Sequence, residues 1–145
     1  MEKYGIIRSL GDGTFGHVSL AQNKDTGEYV AIKKMKRKFY TWEECTSLKE
    51  VKTLQRLGHP NVIRLKEVIR VSNELYLIFE HMQASIFELL KSSKGATMVQ
   101  SGLSERVIKS IIYQSLLGLH YIHTHGVYHR DLKPENILYS MYQSS

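Results

Sequence analysis

The stretch His129-Arg130-Asp131-Leu132-Lys133-Pro134-Glu135-Asn136 decides what this chain can be. It matches the pattern H-R-D-L-x-x-x-N at all five specified positions. A chance match at five positions is negligible in a chain of 145 residues. The stretch is therefore too specific to be a structural coincidence, and the other motifs are interpreted together with it.

A glycine-rich segment lies near the start of the chain. Gly11-Asp12-Gly13-Thr14-Phe15-Gly16-His17-Val18 is a complete G-x-G-x-x-G-x-V. Glycines carry no Cβ, so the backbone amides of such a turn can approach phosphate groups closely. The same glycine spacing occurs in dinucleotide-binding folds, where it opens a helix, whereas a β-rich run follows here. Taken alone, the motif predicts a phosphate-binding turn no more strongly than a plain hairpin turn.

A lysine and a glutamate upstream of the middle of the chain could form a pair. Lys33 ends the apolar run Val30-Ala31-Ile32, and Glu50 lies on the apolar side of the next predicted helix. A lysine at a strand end can simply extend its ammonium to solvent. A carboxylate among core positions is costly unless it is paired. Glu50 alone is better interpreted as a surface charge, but together with the glycine motif a Lys33–Glu50 pair is favoured.

Apolar patterning predicts a β-rich first half. Five strands are expected, at Tyr4–Leu10, His17–Asn23, Tyr29–Ile32, Val62–Val71 and Leu75–Phe79. One helix is expected between the third and fourth strands. It begins at the N-cap Thr41, with Glu44 bonding back to the Thr41 amide, and runs to Leu57, before Gly58.

The second half of the chain is predicted to be helical. A short helix at Ile86–Lys91 is followed by a polar loop at Lys94–Gly102. A long helix then begins at the N-cap Ser104 and keeps its apolar period for four turns, until Gly126 closes it. The boundary between the two halves is expected near Glu80–Ser85.

Composition excludes several classes of protein. Hydrophobic residues make up 42% and charged residues 23% of the chain, as in globular proteins. The chain has no apolar run long enough for a membrane span, and its start lacks a signal peptide pattern, so an intracellular protein without a membrane partner is expected. Cys45 is a single cysteine and cannot form an internal disulfide.

The net charge of +6 is concentrated in residues 33–38, which hold five cations. Such a run can bind nucleic acid or phosphate. Aromatic residues do not follow it in a stacking pattern, however, so a solvated face or loop is the better interpretation and no nucleic-acid partner is expected.

The three motifs, in this order, resemble the eukaryotic protein kinase domain, from Tyr4 to about Leu138. Lys133 within its motif resembles the serine/threonine branch. The resemblance implies an α+β fold with two lobes. Residues 1–82 would form a five-stranded antiparallel N-lobe with helix C and the hinge. Residues 83–145 would form part of a helical C-lobe, with helices D and E and the catalytic loop.

A finer resemblance lies in residues 36–45 and 48–52, which are similar to the male germ cell-associated and intestinal-cell kinase (RCK) family of the CMGC group. Those kinases belong with the cyclin-dependent and MAP kinases and act on cilium length and intraflagellar transport. The likeness implies a protein of the cytoplasm or nucleus, with a cilium or flagellum as a further location. The region before helix C does not resemble a cyclin-binding segment, so no cyclin is expected.

The kinase resemblance implies phosphoryl transfer from Mg-ATP to a Ser/Thr hydroxyl of a protein substrate. Asp131 would accept the hydroxyl proton, Lys133 would neutralise the γ-phosphate, and Asn136 would bind Mg²⁺. Lys33, paired with Glu50, would contact the α- and β-phosphates. These residue types suit a reaction that depends on positioning and on neutralising negative charge.

The resemblance also implies an ATP site. Its glycines Gly11, Gly13 and Gly16 would cover the phosphates, and the apolar side chains of Leu10, Val18, Ala31 and Leu138 would surround adenine. Phe79 would be the gatekeeper, Glu80 and Met82 the hinge groups, and Ser85 the ribose contact. His129 is expected to be a packed structural histidine, and Arg130 to pair with a phosphorylated activation segment.

The family's D-F-G and A-P-E patterns do not occur in these 145 residues, of which nine follow Asn136. The expectation is therefore a C-terminally truncated domain whose helix E exposes an apolar face. Such a chain would transfer phosphate weakly or not at all by itself. The alternative is a non-catalytic fragment that binds nucleotide or a partner. The sequence leaves the oligomeric state open.

Overall fold

A computed structural model describes residues 1–92 and 103–140 of the chain, which has an α+β fold. The chain divides into two compact units, Met1–Gly58 with Val62–His81, and His59–Asn61 with Met82–Ser145. The polar loop predicted at Lys94–Gly102 lies outside the described residues.

The first unit contains the predicted five-stranded antiparallel sheet. Its strands lie in the order β1-β2-β3-β5-β4. They are β1 (Tyr4–Asp12), β2 (Gly16–Asn23), β3 (Tyr29–Lys38), β4 (Leu65–Val71) and β5 (Glu74–Glu80). Ser72 and Asn73 join β4 to β5 with φ values of 50° and 61°. Positive φ at both central residues is typical of the tight hairpin turn that matches the strand twist.

β3 is longer than predicted and contains the basic run. The strand continues past Ile32 to Lys38, so of the two interpretations of residues 33–38, a solvated face or a loop, the loop is wrong, whereas residues 36–38 are solvent-exposed strand residues. Cross-strand pairing explains the difference, because Lys34 pairs with Tyr76 and Lys38 with Glu74 on β5. The apolar pattern could not predict these strand residues, since the contacts that hold them are polar.

The predicted single helix is two helices, α1 (Trp42–Ser47) and α2 (Lys49–Arg56). Leu48 breaks the run with φ −55° and ψ 127°, which is outside the helical region. The hydroxyls of Thr46 and Ser47 bond to backbone carbonyls of the preceding turn. Such bonds compete with helix continuation.

The predicted cap of α1 is only partly correct. Thr41 Oγ1 accepts from the Glu44 amide at 3.1 Å, as expected. The Glu44 carboxylate accepts from the amide of Tyr40 at 2.8 Å, and the prediction that it bonds to the Thr41 amide is therefore wrong. The cap extends one residue further upstream than a standard capping box.

The sheet carries one core on each face. Helices α1 and α2 cover the first face, and the buried residues there are Phe39, Cys45, Val51, Leu75 and Leu77. The second face has a smaller core of Ala21, Val30, Ile32 and Ile78. Alternate residues of β3 therefore point to different cores, which places Lys33 and Lys34 on opposite faces.

The second unit contains the predicted short and long helices, α3 (Ile86–Ser92) and α4 (Glu105–Thr124). It also contains the short pair β6 (Ala84–Ser85) and β7 (Leu138–Tyr139) and a 3₁₀ turn at Pro134–Asn136. None of the helices in the described part of the chain is long and apolar enough to cross a membrane.

Both predicted ends of α4 are confirmed. Ser104 Oγ accepts from the Val107 amide at 3.4 Å. At the other end Gly126 has φ +72°. Its amide bonds to His123 O, and the Val127 amide bonds to Ile122 O, each at 2.9 Å. This pair of bonds is the Schellman motif, which requires a left-handed residue and so favours glycine.

Part of the apolar face of α4 is exposed. Ile112 and Leu116 are 53% and 57% exposed, whereas Gly118 and Ile122 are buried. A Cβ at Gly118 would lie 2.6 Å from Asn61 O, so the segment His59–Asn61 packs closely on this part of the helix. The prediction that helix E, which is α4, exposes an apolar face therefore holds among the described residues.

Candidate active site

Lys33 and Glu50 are brought together in the first unit. Lys33 Nζ lies 2.7 Å from Glu50 Oε1. Lys33 shares the first-core face of the sheet with its cross-strand partners Val18 and Leu77, and Glu50 lies in the first turn of α2. The side chains are 22% and 40% exposed, so the pair remains accessible to a ligand.

Asp131, Lys133 and Asn136 form a cluster in the second unit. Asn136 Nδ2 donates to Asp131 O at 2.8 Å and to Asp131 Oδ2 at 2.9 Å. Lys133 Nζ lies 3.1 Å from the same Oδ2 atom. The 3₁₀ turn Pro134–Asn136 creates this geometry because it folds Asn136 back onto Asp131.

The cluster keeps Asp131 ionised. A hydrogen bond from Lys133, followed by one from Asn136, holds the pKa of Asp131 below its ordinary value. An ionised carboxylate only accepts hydrogen bonds. Asp131 can therefore accept and orient a hydroxyl group, while its own backbone carbonyl and Asn136 fix its position.

The backbone just before Asp131 is unusual. Arg130 has φ +63°, in the left-handed region that side chains other than glycine rarely adopt. Such a conformation costs about 1–3 kcal/mol and is concentrated at functional sites. The residue sets the direction in which the chain presents the Asp131 carboxylate.

The prediction that His129 is a packed structural histidine is wrong. The residue is exposed, and its Nδ1 atom accepts from the Asp131 amide at 3.2 Å. Among the described residues, no buried core cluster includes the ring. His129 therefore acts through a hydrogen bond that positions the Asp131 backbone, a role that apolar patterning could not predict.

The three glycines of the motif have different steric surroundings. A Cβ at Gly16 would lie 2.6 Å from Lys34 O, so the pairing of β2 with β3 itself requires this glycine. A Cβ at Gly11 would meet no atom within 4 Å, and at Gly13 the nearest atom would be 3.7 Å away. In the described part of the chain, no neighbouring atom sterically requires a glycine at either of these two positions.

The residues expected around adenine belong to both units. On the first unit, Ala31 lies opposite Phe79, and both share the face that carries Lys33. Leu10 is 40% exposed. The residues from this set in the first unit are Leu10, Val18, Ala31, Phe79 and Glu80; those in the second unit are Met82, Ser85 and Leu138.

Ser85 has a structural task that the sequence interpretation missed. Its hydroxyl accepts from the Glu88 amide at 3.2 Å, and the Glu88 carboxylate accepts from the Ser85 amide at 2.8 Å. This is a capping box at the start of α3. The sequence signal is Ser85-Ile86-Phe87-Glu88, which fits the S/T-x-x-E pattern of a capping box. A ribose contact would share the Ser85 hydroxyl with this cap.

The residues present fit Mg²⁺ bound together with phosphate. No group of three or more His, Cys, Asp or Glu side chains within residues 1–92 and 103–140 could hold a metal by itself. Mg²⁺ usually takes one or two protein oxygens plus substrate phosphates and water. Asn136 donates a hydrogen bond from its amide nitrogen to Asp131, so its amide oxygen is the atom that could serve as such a ligand.

Comparison with known proteins agrees with this arrangement. The family model described as protein kinase domain matches residues 4–144, so the match extends past Leu138, where the motif resemblance ends. Serine/threonine-protein kinase MAK of Rattus norvegicus is 51% identical over 138 residues, which are 95% of this chain and 21% of that protein. Serine/threonine-protein kinase ICK of Mus musculus has the same identity and coverage.

A plant relative gives a similar result. Cyclin-dependent kinase F-3 of Oryza sativa subsp. japonica is 50% identical over 138 residues, or 95% of this chain and 30% of that protein. The chain thus spans 21% to 30% of the length of these relatives. With the family model matching nearly every residue and the relatives named as serine/threonine or cyclin-dependent kinases, the chain belongs to the protein kinase domain family and is CMGC-like.

Proposed function

We propose that this chain contributes the ATP-binding and catalytic-loop part of a protein serine/threonine kinase. The reaction is transfer of the γ-phosphoryl group of Mg-ATP to a serine or threonine hydroxyl of a protein substrate. The observation that carries the proposal is the cluster in which Lys133 and Asn136 hold an ionised Asp131 behind a strained Arg130. This geometry suits a carboxylate that must accept a hydrogen bond from a hydroxyl group approaching from one direction.

Each residue of the cluster has a proposed task. Asp131 accepts a hydrogen bond from the substrate hydroxyl, orients its oxygen for attack and takes its proton. Lys133 supplies a positive charge beside the transferred group. Asn136 holds the Asp131 carboxylate through its nitrogen and offers its oxygen to Mg²⁺. Mg²⁺, when bound, neutralises charge on the phosphates.

Further residues are proposed to bind the nucleotide. Lys33, fixed by Glu50, donates to the α- and β-phosphates. The turn at Gly11, Gly13 and Gly16 covers the phosphates with backbone amides. The apolar side chains of Leu10, Val18, Ala31 and Leu138 surround adenine, with Phe79 as the gatekeeper. Glu80 and Met82 are the hinge contacts to adenine, and Ser85 is the ribose contact. Residues 1–82 serve as the N-lobe and hinge, and residues 83–145 as part of the C-lobe.

These 145 residues contain no D-F-G, whose aspartate is a metal ligand in kinases. We therefore expect the 145 residues by themselves to transfer phosphate weakly or not at all. The alternative function is a fragment that binds nucleotide or a partner without catalysis, and the exposed apolar face of α4 favours it. A ciliary location, which the resemblance to the RCK family implies, and the absence of a cyclin requirement, which the region before helix C implies, are further proposals.

A chimera tests the catalytic proposal without requiring that the 145 residues be active by themselves. Residues 4–138 replace the aligned residues of the mouse ICK relative, which then supplies the remainder of the domain. The chimera is expected to phosphorylate serine or threonine in a basic protein with Mg-ATP. Asp131→Asn is expected to lower the rate by about 10²–10⁴-fold, whereas Asp25→Asn, in an exposed turn, leaves it unchanged. Equal rates for the Asp131→Asn and parent chimeras would contradict the proposal.

A further inference from the structure

Arg70, near the end of β4, is bonded to the segment of chain that leads from β3 into α1. Its Nε atom donates to Phe39 O at 2.9 Å. Its Nη2 atom donates to Tyr40 O and, at 2.9 Å, to Asn73 Oδ1 in the turn between β4 and β5. One guanidinium therefore binds two consecutive backbone carbonyls and the neighbouring turn.

The segment that Arg70 binds is held on both sides. Phe39 and Tyr40 follow the last residue of β3 and precede the N-cap of α1. The Phe39 amide bonds to Asn73 O at 2.8 Å, and the Tyr40 amide bonds to the Glu44 carboxylate at 2.8 Å. Phe39 is 1% exposed, and buried backbone groups need hydrogen-bond partners. Arg70 thus completes a connection that ties the start of α1 to the β4–β5 hairpin.

The path from the start of α1 to Glu50 is short. A single non-helical residue, Leu48, separates α1 from α2. Its amide bonds to Cys45 O at 3.3 Å, and its carbonyl accepts from the Lys52 amide at 3.0 Å. Glu50 is the second residue of α2. Because the break is bonded to both helices, a shift at the start of α1 is passed on to Glu50.

The Lys33–Glu50 pair is too weak to position α2 by itself. Its side chains are 22% and 40% exposed, and ion pairs this open to water contribute little. The fully buried Cys45 and Val51 hold the helices against the sheet, but apolar contacts are not directional. The hydrogen bonds of Arg70 are directional and charge-assisted, which makes them roughly twice as strong as neutral ones. They can therefore set where on the sheet α1 begins.

We propose that Arg70 is a positioning residue for nucleotide binding. Its guanidinium fixes the segment between β3 and α1 and thereby keeps Glu50 within bonding distance of Lys33. This inference rests on the proposed function, in which the Lys33 ammonium donates to the nucleotide phosphates. The planar guanidinium presents several donors in a fixed fork, whereas a lysine ammonium is a point charge that cannot bond to both carbonyls and to Asn73 at once.

A double-mutant cycle tests the proposal, with the Mg-ATP affinity of the 145-residue chain measured by isothermal titration. Arg70→Lys keeps the charge and loses the fork, and it is expected to weaken Mg-ATP binding about fivefold. In the Glu50→Gln background the same change is expected to weaken binding less than about twofold, because its effect passes through Glu50. A purely structural role would leave the two effects additive. Arg106→Lys, at an exposed position of α4, is the matched control and is expected to leave the affinity unchanged.

Hydrogen exchange of the backbone amides measures the positioning without nucleotide. Arg70→Lys is expected to raise the exchange rates of α1 and of the first turn of α2 about tenfold, while β1 and β2 keep theirs. Asn73→Gly is a second variant that suits the φ of 61° at this position and removes only the side-chain acceptor of the guanidinium. It is expected to fold and to change both measurements in the same direction by a smaller factor.

Three results would overturn the role of Arg70 and leave the proposed function intact. They are equal Mg-ATP affinities of the parent and Arg70→Lys chains, equal weakening by Arg70→Lys in the parent and Glu50→Gln backgrounds, and unchanged exchange in α1 and α2 for both variants. A folded parent chain that binds no Mg-ATP would instead contradict the proposed nucleotide site, and this inference with it.

Discussion

The ammonium of Lys33 lies 2.7 Å from the Oε1 atom of Glu50 and joins β3 to α2. The contact is local to the first unit and does not depend on any residue of the second. It is also only partly shielded from water, with exposed fractions of 22% for Lys33 and 40% for Glu50. The small contribution of this ion pair to folding stability and its proposed contribution to nucleotide binding can therefore be measured separately.

Replacing Glu50 by Gln is expected to leave stability nearly unchanged and to weaken Mg-ATP binding. An ion pair this exposed contributes about 0–1 kcal/mol to folding, but without it the Lys33 ammonium is no longer fixed toward the phosphates. Urea denaturation and a Mg-ATP titration measure the two effects. Glu43→Gln, at an exposed position of α1, is the matched control. Equal nucleotide affinity for the Glu50 and Glu43 variants would speak against the proposed role of the pair.

Alanine in place of Gly16 is expected to destabilise the protein by about 1–3 kcal/mol, because the added Cβ would lie 2.6 Å from a backbone oxygen of Lys34. Alanine in place of Gly11 meets open space and is expected to change stability by less than about 1 kcal/mol. If the Gly11 backbone covers the phosphates, Gly11→Ala is expected to weaken Mg-ATP binding even though it changes stability little. Thermal unfolding of both variants checks the contrast, and equal stability losses would be inconsistent with it.

Glu74→Gln is expected to remove part of the acid sensitivity of the protein. The pKa of Glu74 is about 2 in the folded chain, against an ordinary value of 4.5. A carboxylate with a depressed folded pKa adds stability that is complete above about pH 4.5 and is lost as the pH falls toward 2. The urea midpoint measured across this range should fall less steeply for Glu74→Gln than for Glu43→Gln. Parallel curves for the two variants would show that Glu74 does not carry this pH dependence.

The exposed face of α4 is expected to make the 145-residue chain self-associate. Ile112 and Leu116 are more than half exposed, at 53% and 57%, and contiguous apolar surface of this kind favours association. Leu116→Glu is expected to lower the apparent mass at high concentration in sedimentation velocity. Thr124→Glu, at an exposed position near the end of the same helix, is the control. A parent chain that stays monomeric at every concentration would refute the expectation.

Sequence patterns predicted the sheet, α3 and α4 well because these elements follow apolar periodicity and carry clear end signals, such as Ser104 and Gly126. They failed where polar contacts decide the backbone. At the break at Leu48, the hydroxyls of Thr46 and Ser47 bond to backbone carbonyls of the preceding turn. The extension of β3 to Lys38 depends on Glu74.

The candidate site divides in the same way. The motifs identified Asp131, Lys133 and Asn136, and the structure brings the three together. The left-handed conformation of Arg130 and the hydrogen bond of His129 to the Asp131 amide could not be predicted. Neither feature produces a periodic pattern in the sequence, because each depends on the conformation of a single backbone turn.

Isothermal titration of the 145-residue chain with Mg-ATP measures whether the proposed nucleotide site binds its ligand through Lys33. Saturable binding is expected, with Lys33→Met weakening it by about 10- to 100-fold through loss of a charge-assisted hydrogen bond. Lys36→Met, on the same strand but the opposite face, is expected to change affinity less than about twofold. Absence of binding by the folded parent chain, or equal affinities of the Lys33→Met and Lys36→Met variants, would contradict the proposed role of Lys33.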